Sequence, residues 1–211
     1  MKPLKKKIAG VILAAGSASR MGAVKQLLPF KGKPILEHVI ANAHKSALHE
    51  IILVLGCCAD EIKQKLDLQE SLSLKPSIIK IVINNEFIKG QSNSLKKGLN
   101  NVSMDCDGAM FLLGDQPLVT DVIINKLIYA FETSDLPVLI PYCNEKRGNP
   151  VIIARPLFDR LQSLSGDTGP RVLFKEFKHK ILKVPVDNKA ILEDIDTKDD
   201  YKNLNLKFSK P

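Results

Sequence analysis

Three short groups of residues carry the side-chain types that phosphate and metal chemistry needs. The first is Leu13-Ala14-Ala15-Gly16, followed by Arg20 and Lys25. Small residues and a glycine after an apolar run let backbone N–H groups approach an anion closely, and the two cations can reach a polyphosphate from different sides. A solvated loop with surface charges accounts for the same residues. Neither standard phosphate loop is present, since the run matches no G-x-x-x-x-G-K-[ST] and no G-x-G-x-x-G pattern. The second group is Gly114-Asp115-Gln116-Pro117, where an acid directly after an apolar strand can hold a hard cation beside phosphates. A turn aspartate is the alternative there. The third is Asp194-Ile195-Asp196-Thr197. In extended backbone, positions two apart share a face, so Asp194 and Asp196 can point one way while Ile195 packs inward. Helix capping competes for this segment, although Thr197 is the better cap.

A fourth stretch, Asn84 to Ser94, is dense in short polar side chains. Its hydroxyls, Ser92 and Ser94 among them, can bind a base or ribose, or can simply cap a following helix. The histidines offer little: His38, His44 and His49 match no metal-ligand spacing, and His179 stands alone. The four cysteines form no Cys-x-x-Cys, and they read as idle or buried thiols of a reducing compartment.

Positioning these groups falls to alternating apolar runs and helical stripes. Ile8–Leu13, Ile51–Leu55, Ile79–Ile83, Ala109–Leu113 and Val138–Ile140 predict strands buried on both faces. Between them, 34–46 and 121–134 show helical stripes, the second capped by Thr120 or Asp121, and 60–68 and 93–101 are further helix candidates. After Arg147 the expected order is a strand at 151–153, helices at 157–164 and 168–179, a strand at 181–186 and a helix at 197–206. The alternation predicts an α/β fold with a mostly parallel sheet, in which ligands bind beyond the carboxyl ends of the strands. No linker or repeat interrupts it, so 8–207 is expected to be one domain behind a basic leader at 1–7.

Composition narrows the function classes. The 211 residues are 45% hydrophobic and 26% charged, which excludes a low-complexity chain. The net charge of +8 suggests nucleic-acid binding, but residues 1–7 and 201–211 hold seven lysines and no acid, leaving the body near neutral. With no tryptophan and few aromatics, a base-stacking surface is poorly supplied, and no nucleic-acid partner is expected. The basic start followed by an apolar stretch mimics a signal peptide. It is read instead as leader and first strand, with a cytoplasmic location and no membrane partner expected.

The blocks LAAGSASRMGAVKQLLPFKGKPILEHV, NNEFIKGQSNSLKKGL, GDQPLV, RGNPVII, GDTGPR and DIDTKDDY follow one another along the chain. Together they resemble the nucleotidyltransferases of molybdenum-cofactor maturation, specifically the molybdenum-cofactor cytidylyltransferase group. The resemblance implies a Rossmann-like three-layer α/β/α fold and Mg²⁺-dependent transfer of CMP from CTP, or of another NTP's nucleotide, to a molybdopterin-type phosphate, with a recipient molybdoenzyme as a further partner. Carried onto matching positions, it implies that Leu13, Ala14, Ala15 and Gly16, with Lys25, Ser92, Ser94 and Asp115, bind the nucleotide. Arg20 and Lys25 would be catalytic, Asp115 with Asp196 or Asp194 would bind the metal, and Arg147, Asn149 and Arg171 would bind the acceptor. Two positions depart from the pattern: Asn149 stands where the family usually has His, and Lys198 where it usually has Pro.

The guanylyltransferase relatives resemble this loop but carry L-A-G-G. The methyl of Ala15 is therefore expected to act as a steric gate against purines. The alternatives are a GTP-using enzyme, a sugar- or alcohol-phosphate nucleotidyltransferase of the same fold, and a non-catalytic cofactor chaperone.

Overall fold

The β-branched and apolar runs pair into one sheet because each can bury both of its faces. The computed structural model describes residues 5–16, 23–66 and 79–208. In chain order the strands are β1 (Ile8–Ala14), a small hairpin of β2 (Pro29–Phe30) and β3 (Lys33–Pro34), β4 (Glu50–Leu55), β5 (Ile79–Ile83), β6 (Gly108–Leu113), β7 (Val138–Cys143), β8 (Lys146–Arg147), β9 (Val151–Ala154) and β10 (Ile181–Pro185). The main sheet runs β10-β7-β9-β6-β1-β4-β5, with β8 paired to β7. β1 pairs in parallel with both β4 and β6, whereas β9 runs antiparallel to both its neighbours. The sheet is mixed and mostly parallel.

Alternation along the strands sorts side chains into two cores. Ile8, Ile12, Ile51, Leu53 and Leu112 face helices α1 (Ile35–Lys45), α2 (Ala59–Lys65) and α4 (Asp121–Glu132). Val11, Ile52, Val54 and Phe111 face α3 (Gln91–Leu99), α5 (Phe158–Gln162) and α6 (Leu173–Glu176) on the other side. This is the three-layer arrangement. Helix α7 (Lys198–Phe208) joins a third cluster in which Leu204 and Ile195 meet Phe30 and Ile35.

Thr120 caps α4, accepting a hydrogen bond from the Ile123 amide. The helix expected over 168–179 is instead a 3₁₀ turn, Pro170–Val172, followed by the single turn of α6. Pro170 holds the first position of that turn and so sets where it starts. Residues 157–164 likewise divide, into a 3₁₀ turn at Arg155–Leu157 and α5.

The leader lysines within the described residues are part of the fold. Lys6 donates to the carbonyls of Phe131 and Ser134 at the end of α4, and Lys7 pairs with Asp105 at 2.6 Å. Among the described residues no helix is long and apolar enough to cross a membrane.

Candidate active site

Because β1, β4 and β6 run in parallel, their carboxyl ends share one edge, and Leu13 lies level with Leu113 across the β1–β6 pair. Beyond that edge opens a cleft of about 1010 Å³, lined by residues that include Gly16, Lys25, Asp115, Asp194 and Asp196. The turn after β6 fits against the turn after β1 because residue 114 is glycine. A Cβ there would stand 2.8 Å from that of Ala14, and its amide donates to the Leu13 carbonyl at 3.0 Å. Asp115 is thereby held directly beside the Ala15-Gly16 loop.

The C-terminal acids arrive by a different route. The Ile195 amide donates to the Asp115 carbonyl at 3.2 Å, and the Ile195 side chain is buried. Asp194 and Asp196, on either side of it, both line the cleft. The competing cap is supplied by neighbours: the Thr197 hydroxyl donates to Asp200 and accepts from its amide.

Lys25 lies in a 3₁₀ turn, Lys25–Leu27, and aims its ammonium into the cluster. Its Nζ donates to Asp115 Oδ2 at 2.5 Å and to Asp196 Oδ1 at 2.9 Å. Burial, the largest influence on Lys25, pulls its pKa down, but the two carboxylates outweigh it and hold the pKa above the ordinary lysine value. Asp194 is pushed up, first by burial of its carboxyl and then by repulsion from Asp115 and Asp196. Asp115 Oδ1 is buried and has no hydrogen-bond partner among the described residues. An orphaned carboxylate oxygen is costly, and the hard oxygens of Asp115 and Asp196, which meet at one ammonium, with Asp194 lining the same cleft, are the donor type that suits Mg²⁺ or Mn²⁺. The residues present therefore fit a divalent cation.

The opposite wall is a clasp between two sequence blocks. Ser92 donates through both its amide and its hydroxyl to the Gly166 carbonyl, at 3.2 and 2.8 Å. Gly90 makes the contact possible, since a Cβ there would lie 2.4 Å from the Gly166 carbonyl. Ser92 is thus buried in the clasp and does not line the cleft, whereas Ser94 lines it while accepting from Asn84 Nδ2 at 2.9 Å. Arg171 and Asn149 line both the cleft and an adjoining depression of about 500 Å³. Arg147 lines the depression and sits 5.8 Å from the Phe174 ring.

Among the other loop residues, Ala14 is buried beneath the edge, while Leu13, Ala15 and Gly16 line the cleft. Gly56 lies so close to Ala15 that a Cβ on it would come within 2.8 Å of the Ala15 methyl. That methyl therefore packs toward Gly56, and an effect on base choice would have to act through the path of the loop. Arg20 lies outside the described residues. Gln26, Asp167 and Thr168 also line the cleft without having been singled out above. Gln26 is buried and donates to the Ala14 carbonyl at 3.3 Å, but one amide beside Lys25 carries no periodic signal in a sequence.

The MobA-like NTP transferase domain family matches residues 10–181. The chain is 25% identical over 202 residues to nicotine blue oxidoreductase of Paenarthrobacter nicotinovorans, covering 90% of this chain and 92% of that protein. It is 27% identical over 191 residues to the molybdenum cofactor cytidylyltransferase of Escherichia coli K12, again covering 90% and 92%. Its structure is similar to that of Rv0371c from Mycobacterium tuberculosis H37Rv, with a TM-score of 0.82 and 27% identity over 96% of this chain and 99% of that one. A structure of Rv0371c in complex with manganese is similar at a TM-score of 0.77 and 27% identity, covering 95% and 99%.

Proposed function

The chain belongs to the MobA-like NTP transferase family, and on that footing we propose that it is a Mg²⁺-dependent cytidylyltransferase acting on the molybdenum cofactor in the cytoplasm. The observation that carries the reading is the meeting of Lys25 with Asp115, Asp194 and Asp196 at the carboxyl edge of the sheet. The similarity to the Escherichia coli cytidylyltransferase supports CTP and this acceptor.

In the proposed reaction a phosphate oxygen of the acceptor attacks the α-phosphorus of CTP. The bond to the β-phosphate breaks, and pyrophosphate leaves with the electron pair. The nucleophile is already ionised at neutral pH, so positioning and charge neutralisation do the work and no general base is needed. Asp115, with Asp196 or Asp194, would hold the Mg²⁺, which when bound neutralises phosphate oxygens. The Leu13–Gly16 backbone and Ser94 would receive the nucleoside, and Ser92 would hold the clasp that forms its wall. Arg20 and Lys25 would meet charge growing on the pyrophosphate. Arg147, Asn149 and Arg171, around the second depression, would hold the acceptor's phosphate. A molybdoenzyme would receive the product.

The test is a panel of the four NTPs, each α-phosphate-labelled, against the molybdenum cofactor and a set of sugar phosphates. Label transfer from CTP to the cofactor is expected. Preferred transfer from GTP would overturn the cytidylyl assignment, and transfer to a sugar phosphate alone would overturn the acceptor. Cofactor binding with no transfer from any NTP would make the protein a carrier rather than a transferase.

A further inference from the structure

Lys25 stands where the cation of the proposed reaction has to go. Its ammonium bridges Asp115 Oδ2 and Asp196 Oδ1 at 2.5 and 2.9 Å, while the second oxygen of Asp115 is buried with no partner among the described residues. Among the described residues it is the one cation in a salt bridge with either carboxylate. The Lys25 and Asp115 side chains are each only 16% exposed, so water contributes little to neutralising this pair. A divalent ion bound by the same oxygens would bring two like charges into contact, a repulsion that a half-closed cleft screens poorly. Ammonium and metal therefore compete for one position.

We propose that Lys25 is the resident counter-ion of the carboxylate cluster in the nucleotide-free protein, and that metal–triphosphate binding displaces its Nζ from Asp115 and Asp196 onto phosphate oxygens. The inference rests on reading the cluster as a metal–nucleotide site. It adds an order to that site. A metal ion alone must evict a tethered ammonium that has nowhere better to go, so it binds weakly. A metal ion arriving with a triphosphate supplies the anions that receive the ammonium, so metal and nucleotide bind with mutual reinforcement. Lys25 opens the 3₁₀ turn Lys25–Leu27, with Val24 and Leu28 extended on either side, and its side chain lines the cleft with Asp115 and Asp196. Lys25 is in this sense a positioning residue for the empty site and a phosphate ligand for the filled one.

The experiment is a Mn²⁺ titration of the full chain without nucleotide, with free Mn²⁺ read by electron paramagnetic resonance, repeated in the presence of CTP. Wild type, Lys25→Met, Lys25→Gln, Lys25→Arg and Asp115→Asn are compared, together with their thermal melting with and without Mn²⁺. Removing the competing charge should tighten Mn²⁺ binding at least about tenfold in Lys25→Met and Lys25→Gln, the scale of one charge-assisted hydrogen bond. Lys25→Arg should stay near wild type. CTP should tighten Mn²⁺ binding in wild type much more than in the two neutral variants. Should either neutral variant fold poorly, Mn²⁺ should raise its melting temperature more than it raises that of wild type. Unchanged or weaker Mn²⁺ binding in the neutral variants, alongside loss of binding in Asp115→Asn, would overturn the displacement while leaving the metal site standing. Wild-type Mn²⁺ affinity in Asp115→Asn would overturn the metal-site reading, and the displacement with it.

Discussion

Asp115 shows how much one side chain can be asked to do. One of its carboxylate oxygens is held by Lys25, the other is buried with no partner among the described residues, and its own carbonyl accepts the Ile195 amide. Lys25 faces the same cleft, and the role proposed for it as a transition-state ligand gives a kinetic prediction. Lys25→Ala should lower kcat for transfer more than it raises the KM for CTP, because charge on the departing pyrophosphate grows toward the transition state. The loss should be about 10²–10³-fold in kcat, as for removal of one preorganised donor. A pure rise in KM would place the lysine in ground-state binding instead. Lys31 and Lys33 serve as controls. Lys31 stacks over the Phe208 ring at 3.9 Å, and Lys33 pairs with Glu37, both in and after the β2–β3 hairpin and away from the carboxylates. At this scale the acids were legible in the sequence. The alternation Asp194-Ile195-Asp196 reads as two acids on one face with Ile195 packed inward, against helix capping, and Ile195 is buried. Ser92 was not legible in full, because a hydroxyl that closes a clasp and one that meets a ligand look alike until the partner carbonyl of Gly166 is placed.

Elements hold the site through a few close contacts, and two of these can be tested apart from catalysis. The clasp depends on Gly90, which has φ +107 and backbone of the 166–167 loop within 2.7 Å of where a Cβ would be. Gly90→Ala should therefore cost about 1–3 kcal/mol in strain and displaced contacts and should free the Gly166–Arg171 loop for proteolysis. Wild-type melting and unchanged cleavage would mean the clasp is incidental. At the opposite edge of the sheet, Glu50 accepts from Lys80 at 2.8 Å and from both the amide and the hydroxyl of Ser103. Burial pushes the Glu50 carboxyl up, but Lys80 and Ser103 prevail and hold it below the ordinary value of 4.5. A depressed carboxylate stabilises the folded state above its unfolded pKa, and that stability is lost as pH falls through the folded value. Glu50→Gln should accordingly be less stable than wild type at pH 7 by about 1–3 kcal/mol. The difference should shrink as the pH drops below 4.5, as read by urea melts across the range. A gap that does not change with pH would assign Glu50 to packing alone. The same network buries Cys106, whose thiol is pushed up to about 12, first by burial and then by Glu50. The strands of the parallel half were readable because fully buried β-branched runs announce themselves. The strand expected over 151–153 is β9, but its antiparallel direction was not readable, since direction is a tertiary property, and the division of the helix expected over 168–179 was not either, because short turns lack a full period.

On the scale of the whole molecule, the topology places the cleft at one end of the sheet and the Lys7–Asp105 and Lys80–Glu50 pairs at the other. β1 lies between β4 and β6, so the chain must leave it in one direction and return on the other side, which opens a crevice at its carboxyl end. Lys6 and Lys7 bind the body at the far edge, through the end of α4 and Asp105. The family was legible from six blocks in order, but which blocks touch each other was not. GQSNS meets GDTG and GDQP meets DIDT only once the fold brings residues 92 and 166, and 115 and 195, together. If these carboxylates make a metal-dependent nucleotidyl transfer site, as proposed, pyrophosphate release from CTP with the molybdenum cofactor as acceptor reads it out, measured for wild type and Asp115→Asn, in Mg²⁺ and in chelator. Wild type should release pyrophosphate in Mg²⁺, chelator should abolish release with recovery on adding excess metal, and folded Asp115→Asn should lose about 10²-fold or more. Wild-type release by folded Asp115→Asn, or release undiminished by chelator, would contradict that proposal.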